Sequence, residues 1–122
     1  MWLENCPLSE KDIQDILKAV GKFGGLERLH LINMQHIQKA LPLIKTNFKD
    51  HKNLKELDIQ NNQIDDYHEL VELITDNETL EKLNIKGNYM DEESLEAIWV
   101  GLNDNIKLKS FLFDSIDKVL EE

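Results

Sequence analysis

Apolar residues recur in this chain in a short block that returns at a fixed interval. Leu26-Glu-Arg-Leu29-His-Leu31, Leu54-Lys-Glu-Leu57-Asp-Ile59, Leu80-Glu-Lys-Leu83-Asn-Ile85 and Leu108-Lys-Ser-Phe111-Leu-Phe113 all read apolar-x-x-apolar-x-apolar, at spacings of 28, 26 and 28 residues. Alternation over the last three places is the period of a strand with one face buried. Between blocks the period changes. Ile13/Ile16/Leu17/Val20, Leu41/Ile44/Phe48, Leu70/Leu73/Ile74 and Leu95/Ile98/Leu102 recur at three or four residues, the spacing of one apolar helical stripe. Each unit therefore reads strand, loop, helix. Self-similarity at such a period marks a repeat architecture whose units share one core. Stepping back by 28 places Leu3, Cys6 and Leu8 in a truncated opening unit. The divisions are a partial unit over 1–25, units over 26–53, 54–79 and 80–107, and a closing unit over 108–122.

Several helix starts carry local signals. Ser9 lies between Leu8 and Ile13, and Asp91 between Met90 and Leu95, as caps flanked by staple residues. Asp66-Tyr-His-Glu69 has the spacing of a capping box. Pro42 suits a first turn better than a helix interior, so the second helix is expected to start late, near Leu41. Gly24-Gly25 and Asp104-Asn105 mark turns back towards strands.

The blocks, with Asn62 and Asn88 at the ninth place of their units and Cys6 at the same place in the opening unit, resemble the leucine-rich repeat family. Within it, the helix-containing ribonuclease inhibitor-like subtype is the closer match, and the resemblance runs from Leu3 to about Ile116. It implies an α/β fold: a short right-handed solenoid, a horseshoe segment with parallel strands on the concave face and helices on the convex face. Met34 and Ile116 stand where the pattern has Asn, so the turns there are expected to be differently bonded. The resemblance also implies a class of function. Such repeats act as recognition scaffolds rather than catalysts, which makes this a non-enzymatic module for a protein or peptide partner.

In that register the third, fifth and seventh places of each block point away from the core and line up across strands ~4.8 Å apart. Arg28, Glu56, Lys82 and Ser110 form a column of alternating sign suited to lateral ion pairs. Trp2, His30, Asp58, Asn84 and Leu112 form a second column; Glu4, Ile32, Gln60, Lys86 and Asp114 form a third. Apolar side chains in a polar field are typical of recognition surfaces. Candidate partner-binding residues on this face are Trp2, His30, Ile32, Asp58, Gln60, Asn84, Lys86 and Leu112. Asp66, Asp91 and Glu92 join them, because Asp65-Asp66 and Asp91-Glu92-Glu93 fall at equivalent loop places and form an acidic rim.

Charge sharpens the choice of partner. The net charge is -10, divided as +2 over residues 1–53 and -12 over 54–122, so acidity belongs to the C-terminal half. That opposes attraction to nucleic acid or anionic lipid and favours a basic partner surface. At 122 residues, 41% of them hydrophobic, the chain suits one domain with a continuous core. No apolar run approaches a membrane span, and the first residues lack a signal core, so a soluble cytoplasmic setting is expected. The N-terminal edge carries no polar cap in the pattern. Two alternatives follow: self-association or docking into a larger assembly through that edge, or a regulatory domain of an effector or GTPase-regulating protein. Phe111, Phe113, Val119 and Leu120 before Glu121-Glu122 read as a C-terminal cap.

Other chemistry finds little support. From Asp58 an EF-hand spacing fails at Gln63, where the loop needs Gly. His30, His36, His51 and His68 fall in separate units without metal-ligand spacing and read as surface or strand polar residues, and Cys6 as a buried, inert thiol. Asn77-Glu-Thr79 matches a glycosylation acceptor but reads as a turn. No phosphate-binding glycine loop is present. The only arginine, Arg28, lies in a strand rather than on a loop that a GTPase activator would use. No catalytic residue, metal ligand or cofactor is assigned.

Overall fold

Each apolar block centres on a short strand: β1 (Trp2–Glu4), β2 (Arg28–Ile32), β3 (Glu56–Asp58), β4 (Lys82–Asn84) and β5 (Ser110–Leu112). The architecture is that of a computed structural model, which describes residues 1–104 and 108–114. The strands form one parallel sheet in chain order. Between them lie α1 (Glu10–Gly21), α2 (Ile37–Phe48), α3 (His68–Asp76) and α4 (Glu92–Asp104). Successive helices pack on one another, α1 on α2, α2 on α3 and α3 on α4, and so make a single layer over one face of the sheet.

The core fills the space between sheet and helices. Leu26, Leu54 and Leu80, Leu29, Leu57 and Leu83, and Leu31, Ile59 and Ile85 stack in three rows. The helical stripes Ile13/Leu17, Leu41/Ile44/Phe48, Leu70/Leu73/Ile74 and Leu95/Ile98 meet them from above. A parallel strand covered on one face and paired on both edges has its backbone satisfied only through its neighbours. That is why no unit stands alone.

Pairing confirms the register inferred from spacing: Trp2, His30, Asp58, Asn84 and Leu112 are successive partners, as are Arg28, Glu56, Lys82 and Ser110. Ser9 caps α1, its Oγ accepting from the Asp12 N–H at 3.1 Å. Asp91 caps α4, its Oδ1 accepting from the Ser94 N–H at 2.7 Å. That bond holds the Asp91 carboxyl below the usual aspartate range. Gly24 and Gly25 make the expected turn.

Two local expectations need correction. Helix α2 begins at Ile37, well before Leu41, and Pro42 sits inside it. The proline ring is exposed and costs the Gln38 carbonyl one helical bond, but Ile37, Ala40, Leu41, Ile44 and Phe48 are all buried on the opposite stripe, and that burial carries the helix through. Nor does Asp66–Glu69 make a capping box. Tyr67 occupies the cap position without a side-chain capping bond. Asp66 instead takes the His68 N–H at 3.1 Å and its Nδ1 at 2.7 Å, while Glu69 turns to Lys45 at 2.9 Å. Asn105, Ile116 and the cap expected around Val119-Leu120 lie outside the described residues.

Candidate interaction surface

Asparagine closes the turns that follow the strands. Asn62 Oδ1 accepts from the Met34 N–H at 2.7 Å, and its Nδ2 donates to the Leu31 carbonyl at 2.7 Å. One unit on, Asn88 Oδ1 accepts from Asn62 and Ile64 N–H groups at 2.8 and 3.0 Å, and its Nδ2 donates to Ile59 and Ile85 carbonyls, both at 3.0 Å. At Met34 the amide is missing, its thioether side chain is buried, and the neighbouring turns are joined differently: Asn33 Nδ2 donates to Asn5 Oδ1. Cys6 is half-buried rather than buried, its Sγ donating to the Glu4 carbonyl at 3.4 Å.

The preceding place holds another column that spacing alone did not disclose. Asn5, Asn33, Asn61 and Gly87 all have φ between 51° and 75°, a left-handed turn for which Asn and Gly are the cheapest residues. A Cβ on Gly87 would fall 1.7 Å from Asn61 Oδ1, so glycine is needed there twice over. Three Asn and a Gly at one register place are the sequence signal for it.

On the uncovered sheet face the strands bring together one connected group. The Trp2 indole stacks on the His30 imidazole, centroids 4.5 Å apart and planes within 8°. His30 Nε2 lies 2.5 Å from Glu56 Oε2, and Nδ1 3.5 Å from Asp58 Oδ2. Asp58 in turn accepts from Gln60 Nε2 at 2.8 Å, and Trp2 Nε1 donates to Glu4 Oε1 at 2.9 Å. Beside this group opens a cleft of about 410 Å³ lined by Met1, Trp2, Phe23, Leu26, Arg28 and Glu56.

This corrects the picture of an evenly solvated face. His30 is 8%, Ile32 8% and Asp58 7% exposed; Trp2 and Glu56 close over His30, and Gln60 over Asp58. Glu56 pairs with His30 instead of Arg28 or Lys82, so the alternating column does not form its ion pairs among the described residues. Register gives part of this: Glu56 and Asp58 are two apart on β3, hence on one face, with Asp58 directly opposite His30 and Glu56 diagonal to it. Trp2 remains 62% exposed, Lys86 is exposed, Asn84 is half-buried with its Oδ1 taking the Lys86 N–H at 3.1 Å, and Leu112 lies exposed on the far edge strand. Those three stand apart from the Trp2–His30 group.

The acidic residues sit at helix starts, not on the sheet face. Asp66 is held below its ordinary pKa by His68, and His68 above its own by Asp66. Asp91 caps α4, and Glu92 is the first, exposed residue of that helix. Between the two loops the Tyr67 phenol is pushed upward by burial first, then by the charges of Asp114, Asp65 and Asp91.

His51 is not a surface residue. It is buried, its Nδ1 accepting from Asn53 and Leu54 N–H groups at 3.1 and 3.0 Å while Nε2 reaches the Phe23 carbonyl at 3.1 Å. Asn77, three places before Leu80 as His51 is before Leu54, does the same: Oδ1 takes the Thr79 and Leu80 N–H groups and Nδ2 donates to the Phe48 carbonyl. With its amide buried among backbone groups, Asn77 is unsuited to carry a glycan. Among the described residues no three His, Cys, Asp or Glu converge as a metal site, and no helix is long and apolar enough to cross a membrane.

No curated protein matches the chain significantly. Residues 53–75, which span β3, its asparagine turn and most of α3, match a family model described as Leucine Rich Repeat, and this supports a leucine-rich repeat family for a chain whose parallel strands, helices and asparagine turns follow that pattern.

Proposed function

We propose that this protein is a non-enzymatic interaction module that binds a protein or peptide across its uncovered sheet face, with the acidic rim as a secondary contact. Leucine-rich repeats are generally protein–protein interaction modules. The observation that carries the reading here is the exposed indole of Trp2 fixed by its stack on His30. A rigid aromatic held half out of a surface offers a large contact area at low entropic cost, the usual character of a binding hot spot. In this reading the chain is a short right-handed solenoid of the ribonuclease inhibitor-like subtype, the sheet is its concave face, and its setting is cytoplasmic. Partner contact falls to Trp2, Gln60, Asn84, Lys86 and Leu112 directly. His30 and Asp58 act from beneath, by holding Trp2 and Gln60, and Ile32 lies buried beside them. Asp66, Asp91 and Glu92 favour basic groups, adding mainly to on-rate and specificity.

The test uses exposed positions so that folding is spared. Wild type and the Trp2→Ser/Lys86→Glu double variant are compared in affinity capture from native lysate, at low salt and at ~0.5 M salt, where surface charge contacts are screened to a few ångströms. The reading expects one partner captured by wild type and lost by a variant with unchanged circular dichroism. Equal capture by both overturns it. Loss of the partner in salt assigns the main contact to the acidic rim, and retention assigns it to the sheet face.

A further inference from the structure

On the helix side, α3 and α4 enclose a groove of about 370 Å³ whose walls include Tyr67, Val71, Ser94 and Ala97. Its floor is small and aliphatic, with Val71 half-buried and Ala97 exposed. At its far end the helices close on each other, since a Cβ on Gly101 would meet Thr75 Oγ1 at 3.1 Å and Val71 Cγ1 at 3.6 Å. Val100, three residues from Ala97 and on the same row, continues the apolar surface at 60% exposure.

Carboxylates dominate the charge around this stripe, with His68 on the α3 wall. Helices α3 and α4 carry Glu69, Glu72, Asp76, Glu92, Glu93 and Glu96, and no Lys or Arg. Lys45 of α2 engages Glu69 and Glu72 at 2.9 and 2.5 Å, and His68 engages Asp66. Glu93, on the opposite wall, and Glu96, exposed three residues further along α4, have no cationic partner among the described residues. An aliphatic floor between carboxylates fits an occupant that is apolar along its centre and cationic along its flank. Over Val71, Ala97 and Val100 that occupant must also satisfy its own backbone, because the interior turns of a helix offer no free N–H or C=O to pair with.

We propose that the α3–α4 groove docks a basic amphipathic helix of a partner protein, one aliphatic side chain lying over Val71 and Ala97 and its Lys or Arg residues facing Glu93 and Glu96. The surface is separate from the sheet face, so the partner of the interaction module can be held on two sides.

The probe is a synthetic Leu/Lys amphipathic helix of about 18 residues, with the Leu/Glu peptide of the same pattern as control. Both are titrated into the full chain carrying ¹³C-methyl labels at Val71, Ala97 and Val100. The proposal expects saturable shifts of these methyls with the Leu/Lys peptide only. It further expects at least about tenfold weaker binding by Ala97→Arg and by Glu93→Lys/Glu96→Lys, at unchanged melting midpoint, and undiminished binding by Trp2→Ser. Equal affinity of the groove variants, methyl shifts confined to the sheet face, equal binding of the Leu/Glu peptide, or no saturation up to about 1 mM each overturns it. Groove methyls that shift with protein concentration alone would make a second copy the occupant and overturn it as well. Because Trp2→Ser tests the sheet face independently, failure of either reading leaves the other distinguishable.

Discussion

An imidazole at His51 and a carboxamide at Asn77 make equivalent bonds at two successive helix-to-strand turns, α2 to β3 and α3 to β4. Both accept two backbone N–H groups and donate to the last carbonyls of the preceding unit. Since carbonyls only accept and N–H groups only donate, the bonds assign His51 the neutral tautomer with its proton on Nε2. What matters at this place is therefore an acceptor and a donor on one short side chain, not a ring. His51→Asn is expected to keep stability within about 1 kcal/mol, whereas His51→Leu orphans buried backbone groups at about 1–3 kcal/mol each; urea unfolding of the two variants checks this. The sequence hinted at these sites poorly, because His and Asn share no obvious class until their bonds are seen. By contrast, Asn62 and Asn88 were legible at once, because the same residue recurs at one place. Burial of His30 and Asp58 was not, since it depends on which neighbour folds over which, and spacing carries no such information.

At the scale of elements, periodicity decided nearly everything. The change from two- to four-residue spacing located the five strands and four helices among the described residues, and the pairing register followed from the repeat length. Misreadings came where a local rule met tertiary packing. Pro42 should stop a helix, yet five buried side chains on its far side hold α2 together. The Asp66–Glu69 spacing suits a capping box, yet Lys45 offers Glu69 a stronger partner, raising its own pKa through Glu72 and Glu69 and lowering that of Glu69. Where no such competition exists the rule holds, as at Asp91. Its carboxyl titrates below the ordinary value of 3.8 because it accepts the Ser94 N–H. A depressed carboxylate stabilises fully above its unfolded pKa and loses that contribution as pH falls through its folded one. The stability advantage of wild type over Asp91→Ala is therefore expected to be widest near neutrality and to narrow below about pH 4, as read by urea titration across that range.

For the molecule as a whole, stability comes from contact between neighbouring units. Leu57 lies at the middle of the central strand, fully buried, with a paired strand on either side, whereas Leu3 is half-buried on an edge strand. Leu57→Ala is expected to cost about 2–5 kcal/mol and Leu3→Ala clearly less. The two tryptophans report from opposite ends, Trp2 on β1 and Trp99 on α4. Fluorescence of Trp2→Phe and Trp99→Phe backgrounds should show Leu57→Ala lowering both transitions together and Leu3→Ala acting mainly on the one seen by Trp2. The overall design, one core shared by stacked units, was legible from the repeat. The grouping of Trp2, His30, Glu56 and Asp58 was legible only in part, since register gives adjacency but not which pairs close.

The asparagine turns also run in one direction. Asn62 completes the turn before it at Met34, and Asn88 completes the turn at Asn62 and Ile64. Each of these two turns is thus finished by the unit that follows. A chain synthesised from its N-terminus forward carries, at every stage, one turn whose N–H groups wait for residues still to be made. Shortening is correspondingly lopsided: loss of a unit from the front leaves every later turn with its amide, while loss of one from the back strips its neighbour of the acceptor that closed it.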